Sequence, residues 1–397
     1  MNKRNRLSFA IIMAFVGSTP SVFAEPLITD YQEATSAYED AYVTGSFNLN
    51  DGNQEQASFD LDLEINYEKV ISSPNRNIKF DAAGTGSRTR GPNDGDETQS
   101  SYQALSGVTM DKYFQPNTKA GFWYGKAELG GKKGQEDPFF KITGGVGYGR
   151  VINVTPMARS IRVIQELRKR RVLTSDPSNS TYQDVAKVIN QEGQYRSQYG
   201  AAEYEQYWIE AIENALKASG TIAGGGDLGA RAILKSYDVL VNERISTRKN
   251  GWLVRGGIGA VISNYDGSDG KPAVELGAEY HRPLSNQTQL SNEAIVTATV
   301  DNDDNSYNFN NVLSLTHEVS NRIDWENSWT LNHNESDIAG IEDVTNNTIS
   351  STYRYYLTNQ LAFNVTGKLT DLEDNIDNNG NDIVDKSLNM GITYRLK

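Results

Sequence analysis

Phe59-Asp60-Leu61-Asp62-Leu63-Glu64-Ile65-Asn66-Tyr67-Glu68 has an apolar side chain at every odd position and a polar one at every even position. Alternation with period two is the mark of a β-strand with one dry face and one wet face. A slip of one residue would carry Asp60, Asp62 and Glu64 onto the dry face, so the register is strongly specified. The pattern recurs at Trp252, Val254, Ile258, Ala260 and Ile262, at Val274, Leu276, Ala278 and Tyr280, and at Leu361, Phe363, Val365 and Leu369. It closes the chain at Leu388, Met390, Ile392, Tyr394 and Leu396. Runs of this kind number about six before Pro156 and about eight after Thr247, an even total of about 14 strands. Tyr102 to Phe114 and Gln289 to Val300 alternate least clearly.

The connections fall into two kinds. Tight corners stand at Gln115-Pro116-Asn117-Thr118-Lys119, Arg282 to Asn286, Glu318 to Arg322 and Tyr356 to Gln360. Long acidic, Gly/Asn/Asp-rich excursions run over Arg90–Glu97, Ser263–Lys271, Asp301–Asn305, Ser336–Asp343 and Asp371–Asp385. The two kinds alternate along the chain. Short turns at one end and long loops at the other are what a barrel crossing the bacterial outer membrane requires.

Lys3, Arg4 and Arg6, then the apolar run Leu7–Val16 and the small-residue exit Val22-Phe23-Ala24, read as a secretory signal cleaved before Glu25. No run of about 20 apolar residues follows, so no transmembrane helix is expected. The absence of cysteine in the 397 residues leaves no disulfide and no thiol chemistry. A net charge of -13 excludes the basic footprint of a nucleic-acid binder. The mean hydropathy of -0.57 is compatible with a membrane barrel, because only alternate strand residues meet lipid. The 21 tyrosines suit interfacial aromatic girdles.

Between the two strand blocks the period changes. Thr155-Pro156 reads as an N-cap followed by proline, and Met157, Ile161, Ile164 and Leu167 recur at helical spacing. Ser180 and Gln183 read as a capping box ahead of Val185, Val188 and Ile189. A third helix follows through Tyr204, Trp208, Ile212 and Leu216, broken at Gly220–Gly226, and a fourth through Ile233, Leu234, Tyr237, Leu240 and Val241. The chain therefore divides into a signal peptide (1–24), a first barrel segment (25–155), a helical insert (156–246) and a second barrel segment (247–397). With a periplasmic N-terminus, an even number of strands ahead of Pro156 puts the insert in the periplasm and the five long loops outside.

These features resemble the porin-like outer-membrane barrels of Gram-negative bacteria over the whole chain except the insert. The chain departs from them at its end, Tyr394-Arg395-Leu396-Lys397, where such barrels finish on an aromatic residue. The resemblance implies an all-β transmembrane antiparallel barrel in the cell outer membrane, with lipid and lipopolysaccharide as its surroundings.

Inward parity falls on Asp60, Asp62, Glu64, Asp81, Glu275, Glu279, Asp324 and Glu326, against Lys79, Lys141, Arg255, Arg354, Lys368 and Arg395. As lumen-lining charges these are the candidate selectivity residues, with an excess of acid that favours cations. Asp374, Asp377, Asn379 and Asp382 resemble half of a calcium loop, but the closing glutamate is lacking and a solvated hairpin tip is the plainer reading. Of the three histidines, His281 and His317 fall near turns and away from any serine paired by pattern. His333 and Ser336 have opposite strand parity, so they form no nucleophile and base pair. No catalysis and no cofactor are expected. Arg168-Lys169-Arg170-Arg171 is read as compensating a helix C-terminus. The Gly144–Gly149 run lacks the lysine of a phosphate loop, and is read as bending the wall or leaving room for the insert. Two functions fit. One is a porin-like channel for small polar solutes or ions, gated or plugged by the insert. The other is a closed barrel whose insert, 156–246, binds a periplasmic protein. The oligomeric state has no signal in the sequence.

Overall fold

The computed structural model describes residues 26–116, 120–265, 267, 270–300, 305–336, 343–374 and 383–396. Six strands come first: β1 (Ser36–Asn50), β2 (Ser58–Ser73), β3 (Arg76–Arg90), β4 (Gln99–Tyr113), β5 (Gly121–Lys132) and β6 (Phe139–Asn153). Eight follow the helices: β7 (Lys249–Ser263), β8 (Lys271–Pro283), β9 (Thr288–Thr299), β10 (Ser306–Ser320), β11 (Ile323–Ser336), β12 (Val344–Tyr356), β13 (Leu361–Glu373) and β14 (Asp385–Arg395). Each strand pairs antiparallel with its sequence neighbours, and β1 closes the ring on β14 from Tyr42 opposite Arg395 to Gly45 opposite Ile392. Closure removes the exposed edges that hydrocarbon cannot satisfy.

The register turns Phe47, Leu63, Ile65, Val254, Ile258, Leu276, Met390 and Ile392 outward, and all are exposed. On a soluble protein so much exposed hydrocarbon would be an anomaly; on a closed barrel it is the lipid belt. The chain is an outer-membrane β-barrel. Among the described residues no helix is long and apolar enough to cross a membrane. β4 and β9, the two weakly alternating segments, are full strands whose outward positions hold Ala104, Ser106, Asn292 and Ala294 instead of large apolar residues.

The insert comprises α1 (Thr155–Lys169), α2 (Asn179–Asn190), α3 (Glu192–Tyr199), α4 (Tyr204–Lys217) and α5 (Gly229–Tyr237), the last running into a π-helical turn over Asp238–Asn242. Its core holds Met157, Ile164, Leu167, Val185, Trp208, Ile212 and Leu216. Ile28 and Tyr31, upstream of β1, belong to the same core, so the segment before the barrel is part of the helical unit. Trp208 is fully buried and its indole nitrogen donates to the Val188 carbonyl at 2.9 Å.

Two caps differ from expectation. Ser178, not Ser180, accepts from the Thr181 amide to cap α2. Thr155 lies inside α1, and its hydroxyl accepts the Arg248 amide at 2.8 Å, tying the two stems of the insert together. The helix α3 was not expected. It buries no residue, so it has no apolar stripe to betray it.

Candidate functional site

The inner face of the barrel is reached by following the register upward from β2. Asp60, Asp62 and Glu64 stand opposite Asn48, Ser46 and Thr44 on one side, and Thr89, Ser87 and Thr85 on the other. Lys79 and Asp81 on β3, Arg255 on β7, and Glu275 and Glu279 on β8 share this face. Asp324 and Glu326 on β11, Arg354 on β12, Lys368 on β13 and Arg395 on β14 continue it. Asp60, Asp62 and Glu64 are exposed and make no ion pair among the described residues. Asp374 precedes the stretch with Asp377, Asn379 and Asp382, which lies outside the described residues, as does the signal segment.

Most of the other charges are paired. Some pairs lie between neighbouring strands, and others reach across the lumen to strands that are not neighbours in the ring. Glu68 on β2 takes Lys249 on β7 at 2.9 Å and Lys79 at 3.4 Å, while Tyr38 donates to the same carboxylate. Lys79 lies 3.8 Å from Glu293 on β9. Arg255 pairs with Glu279 at 2.8 Å and lies 3.9 Å from Asp111 on β4. A second cluster has Lys126 and Lys141 shared between Glu128 and Glu275, at 2.7 to 3.2 Å. A cavity of about 60 Å³ remains among Tyr38, Asn77, Lys79, Asp111, Lys249, Glu279 and the apolar Leu253.

Glycine explains how these chains approach. Gly145, Gly147 and Gly257 share the inner face, and an added Cβ would meet Tyr124 at 2.8 Å, Phe122 at 2.3 Å and Tyr124 at 2.4 Å. The glycine run therefore makes room for two aromatic side chains from β5 and for the close backbone of β7, whose Gly256 carbonyl would lie 2.2 Å from a Cβ at Gly145.

The insert is also tied to the barrel wall. After the π-helical turn the chain runs as a strap, residues 243–248, across the periplasmic mouth. Arg244 lies 3.7 Å from Asp40 and donates to Tyr42, both on β1. Thr247 donates to Asp40 at 2.9 Å. On the other wall Ser246 donates through its amide to Glu318 at 2.8 Å and through its hydroxyl to Asp324 at 2.9 Å. Arg248 pairs with Glu318 at 2.9 Å, and Arg162 of α1 reaches the same carboxylate at 2.5 Å. Asn321 donates to Glu243 at 2.9 Å and Asn359 donates to the Val241 carbonyl, so one periplasmic turn holds the strap and another holds the π-helical turn ahead of it. Burial alone would lower the Arg244 pKa, but Tyr42 and Asp40 outweigh it and hold it raised. Burial lowers that of Arg248 despite Glu318.

Sequence parity had not singled out Asp40, Glu68, Asp111, Lys126, Glu128, Lys249, Glu293 and Glu318. Glu68 is the last even position of the opening decapeptide, so its inward aim was available. Its partner was not. His281 also differs from expectation: its Nδ1 lies 2.9 Å from the Ser291 hydroxyl, with Glu279 at 3.6 Å from Nε2. His317 and His333 make the same bond, to Thr288 and Thr345 at 2.8 Å each. In all three the partner is directly opposite on a neighbouring strand, which marks a cross-strand pairing habit. The basic run of α1 is partnered locally, Lys169 by Glu166 at 2.8 Å and Arg168 by Asp176.

A family model described as a protein of unknown function, DUF481, matches residues 243–355, from the strap into β12. No curated protein sequence matches the chain. Similar solved structures include the β domain of the Bordetella autotransporter BrkA, at 8% identity over 91% of this chain and 98% of that one, with a TM-score of 0.31. A loop-deleted OmpT, an outer membrane protein of Vibrio cholerae, aligns at 8% identity over 91% and 100%, with a TM-score of 0.31. Omp33 of Acinetobacter baumannii aligns at 10% over 92% and 100%, with a TM-score of 0.27. Likeness at this level says nothing of function, and the barrel stands on its own closed register.

Proposed function

We propose that the protein is an outer-membrane channel for small polar solutes or ions, closed on the periplasmic side by its helical insert. The observation that carries this reading is the strap, fastened to β1 on one wall and to β10 and β11 on the other. Above it the wall from β10 to β13 is lined by side chains such as Asn310, Asn332, Ser328, Ser350, Thr352 and Thr366, which suit water better than a packed core. The reading separates two seals. The ion pairs across β2, β3, β7, β8 and β9 are fixed in the wall. The strap belongs to the insert, and in this reading its withdrawal opens the mouth. Asp60, Asp62 and Glu64, near the outer end, give the open channel a preference for cations.

The experiment replaces residues 156–246 with a short turn and follows solute-driven swelling of proteoliposomes. Influx of small sugars through the deleted form, with little through the intact one, supports the reading. In the deleted form Asp60→Asn/Asp62→Asn/Glu64→Gln should reduce cation preference in reversal potentials. The salt bridges that already cross the lumen favour a second reading, a closed barrel whose insert binds a periplasmic protein. Equal impermeability of both forms, with loss of a co-purifying partner on deletion, would select it. Both readings are non-enzymatic.

A further inference from the structure

On the outer face, β2, β7, β8 and β14 present exposed Leu63, Ile65, Val254, Leu276, Met390 and Ile392 to lipid. The outer face of β9 to β12 differs. Asn292 stands opposite Leu313, Asn311 opposite Ala294 and Leu331, and Asn327 opposite Leu315 and Ser351, so all four polar residues share the outward parity of those leucines. Asn292 donates to the Asn311 carbonyl at 3.1 Å. Ser351 donates to the Asn327 carbonyl at 2.8 Å and accepts from the Trp325 indole at 2.9 Å. Those bonds use only half of each carboxamide. Among the described residues the side-chain carbonyl of Asn292 and the side-chain amides of Asn311 and Asn327 make no hydrogen bond; Asn292 and Asn327 are half-buried, whereas Asn311 is buried. Acyl chains offer neither donor nor acceptor, so lipid alone is a poor cover for this face.

We propose that this face is where a second copy of the chain docks, making the barrel a homo-oligomer in the membrane. A carboxamide carries both donor and acceptor, so a patch of them is complementary to itself across a two-fold axis. Small residues sit beside the amides, Ala294 opposite Asn311 and Gly367 opposite Ser351, and let two walls come close. The inference rests on the transmembrane barrel alone and is independent of whether the lumen conducts.

The chain has no cysteine, which makes the test clean. Asn292→Cys and Asn327→Cys are placed singly in proteoliposomes and treated with a short bismaleimide, beside the lipid-facing controls Ile65→Cys and Val254→Cys. The expected result is a chain-to-chain product, identified by mass spectrometry, from the first two and not from the controls. No product, or equal product from all four, overturns the proposal. A second form, Asn292→Leu/Asn327→Leu, should keep the heat-modifiable gel migration of a folded barrel and sediment as a monomer where the wild type is larger. A folded double variant that keeps the larger assembly, or a wild type that is itself monomeric in the bilayer, overturns it too.

Discussion

Glu318 gathers three donors from the strap and from α1: the Ser246 amide at 2.8 Å, Arg248 at 2.9 Å and Arg162 at 2.5 Å. It is 1% exposed and Arg248 is fully buried. Glu318→Gln keeps the shape and removes the charge, leaving Arg248 uncompensated at a cost of about 3–5 kcal/mol. Limited proteolysis of the folded protein should then cut the strap sooner, with the barrel itself intact. At Gly257 a Cβ would lie 2.7 Å from the Gly144 carbonyl as well as against Tyr124, whereas Gly125 has open space. Gly257→Val should therefore abolish the heat-modifiable band of the folded barrel, and Gly125→Ala should leave it unchanged. The parity of the wall charges was readable from period two, but the reason for glycine at 145, 147 and 257 was not. It depends on aromatic side chains from a neighbouring strand, and no local pattern encodes that. At the base of the strap a hydrogen bond from Lys235 at 2.8 Å lowers the pKa of Asp238. A lowered carboxyl stabilises the fold above its unfolded pKa and stops doing so as pH falls through the folded one. Asp238→Asn should thus melt its helices earlier than wild type at neutral pH and together with it in strong acid, as followed by far-UV circular dichroism.

Within the elements, legibility tracked periodicity. α1, α2 and α4 each bury one stripe, and the residues at helical spacing, Ile161, Ile164, Val185, Trp208 and Ile212, are their buried ones. α3 has no such stripe and was invisible. The strap carries no period at all, since its role comes from charges on β1, β10 and β11 that are remote in sequence. Trp208 fixes α4 on α2 through its ring and its bond to Val188. Trp208→Ala should cost the insert about 3–5 kcal/mol. Helical circular dichroism should then be lost on heating well before the strand signal, and the folded barrel band on gels should persist. Coincident loss of both signals would show that the insert and the wall form one cooperative unit.

For the whole molecule, strand number, antiparallel order and the end at which the insert emerges all followed from alternation and loop length. How far the lumen is filled did not, because it depends on which strands oppose one another across the ring. β2 and β3 meet β7 and β9 through Glu68, Lys249, Lys79 and Glu293, while the strap is fastened to β1 on one side and to β10 on the other. The central claim is that the insert is the removable seal of the periplasmic mouth. Planar-bilayer conductance of the intact protein, side by side with the form lacking residues 156–246, tests it directly. The account predicts a largely silent intact barrel and a steady, cation-preferring conductance once the insert is gone. Equal conductance in the two forms, whether both open or both silent, would contradict it.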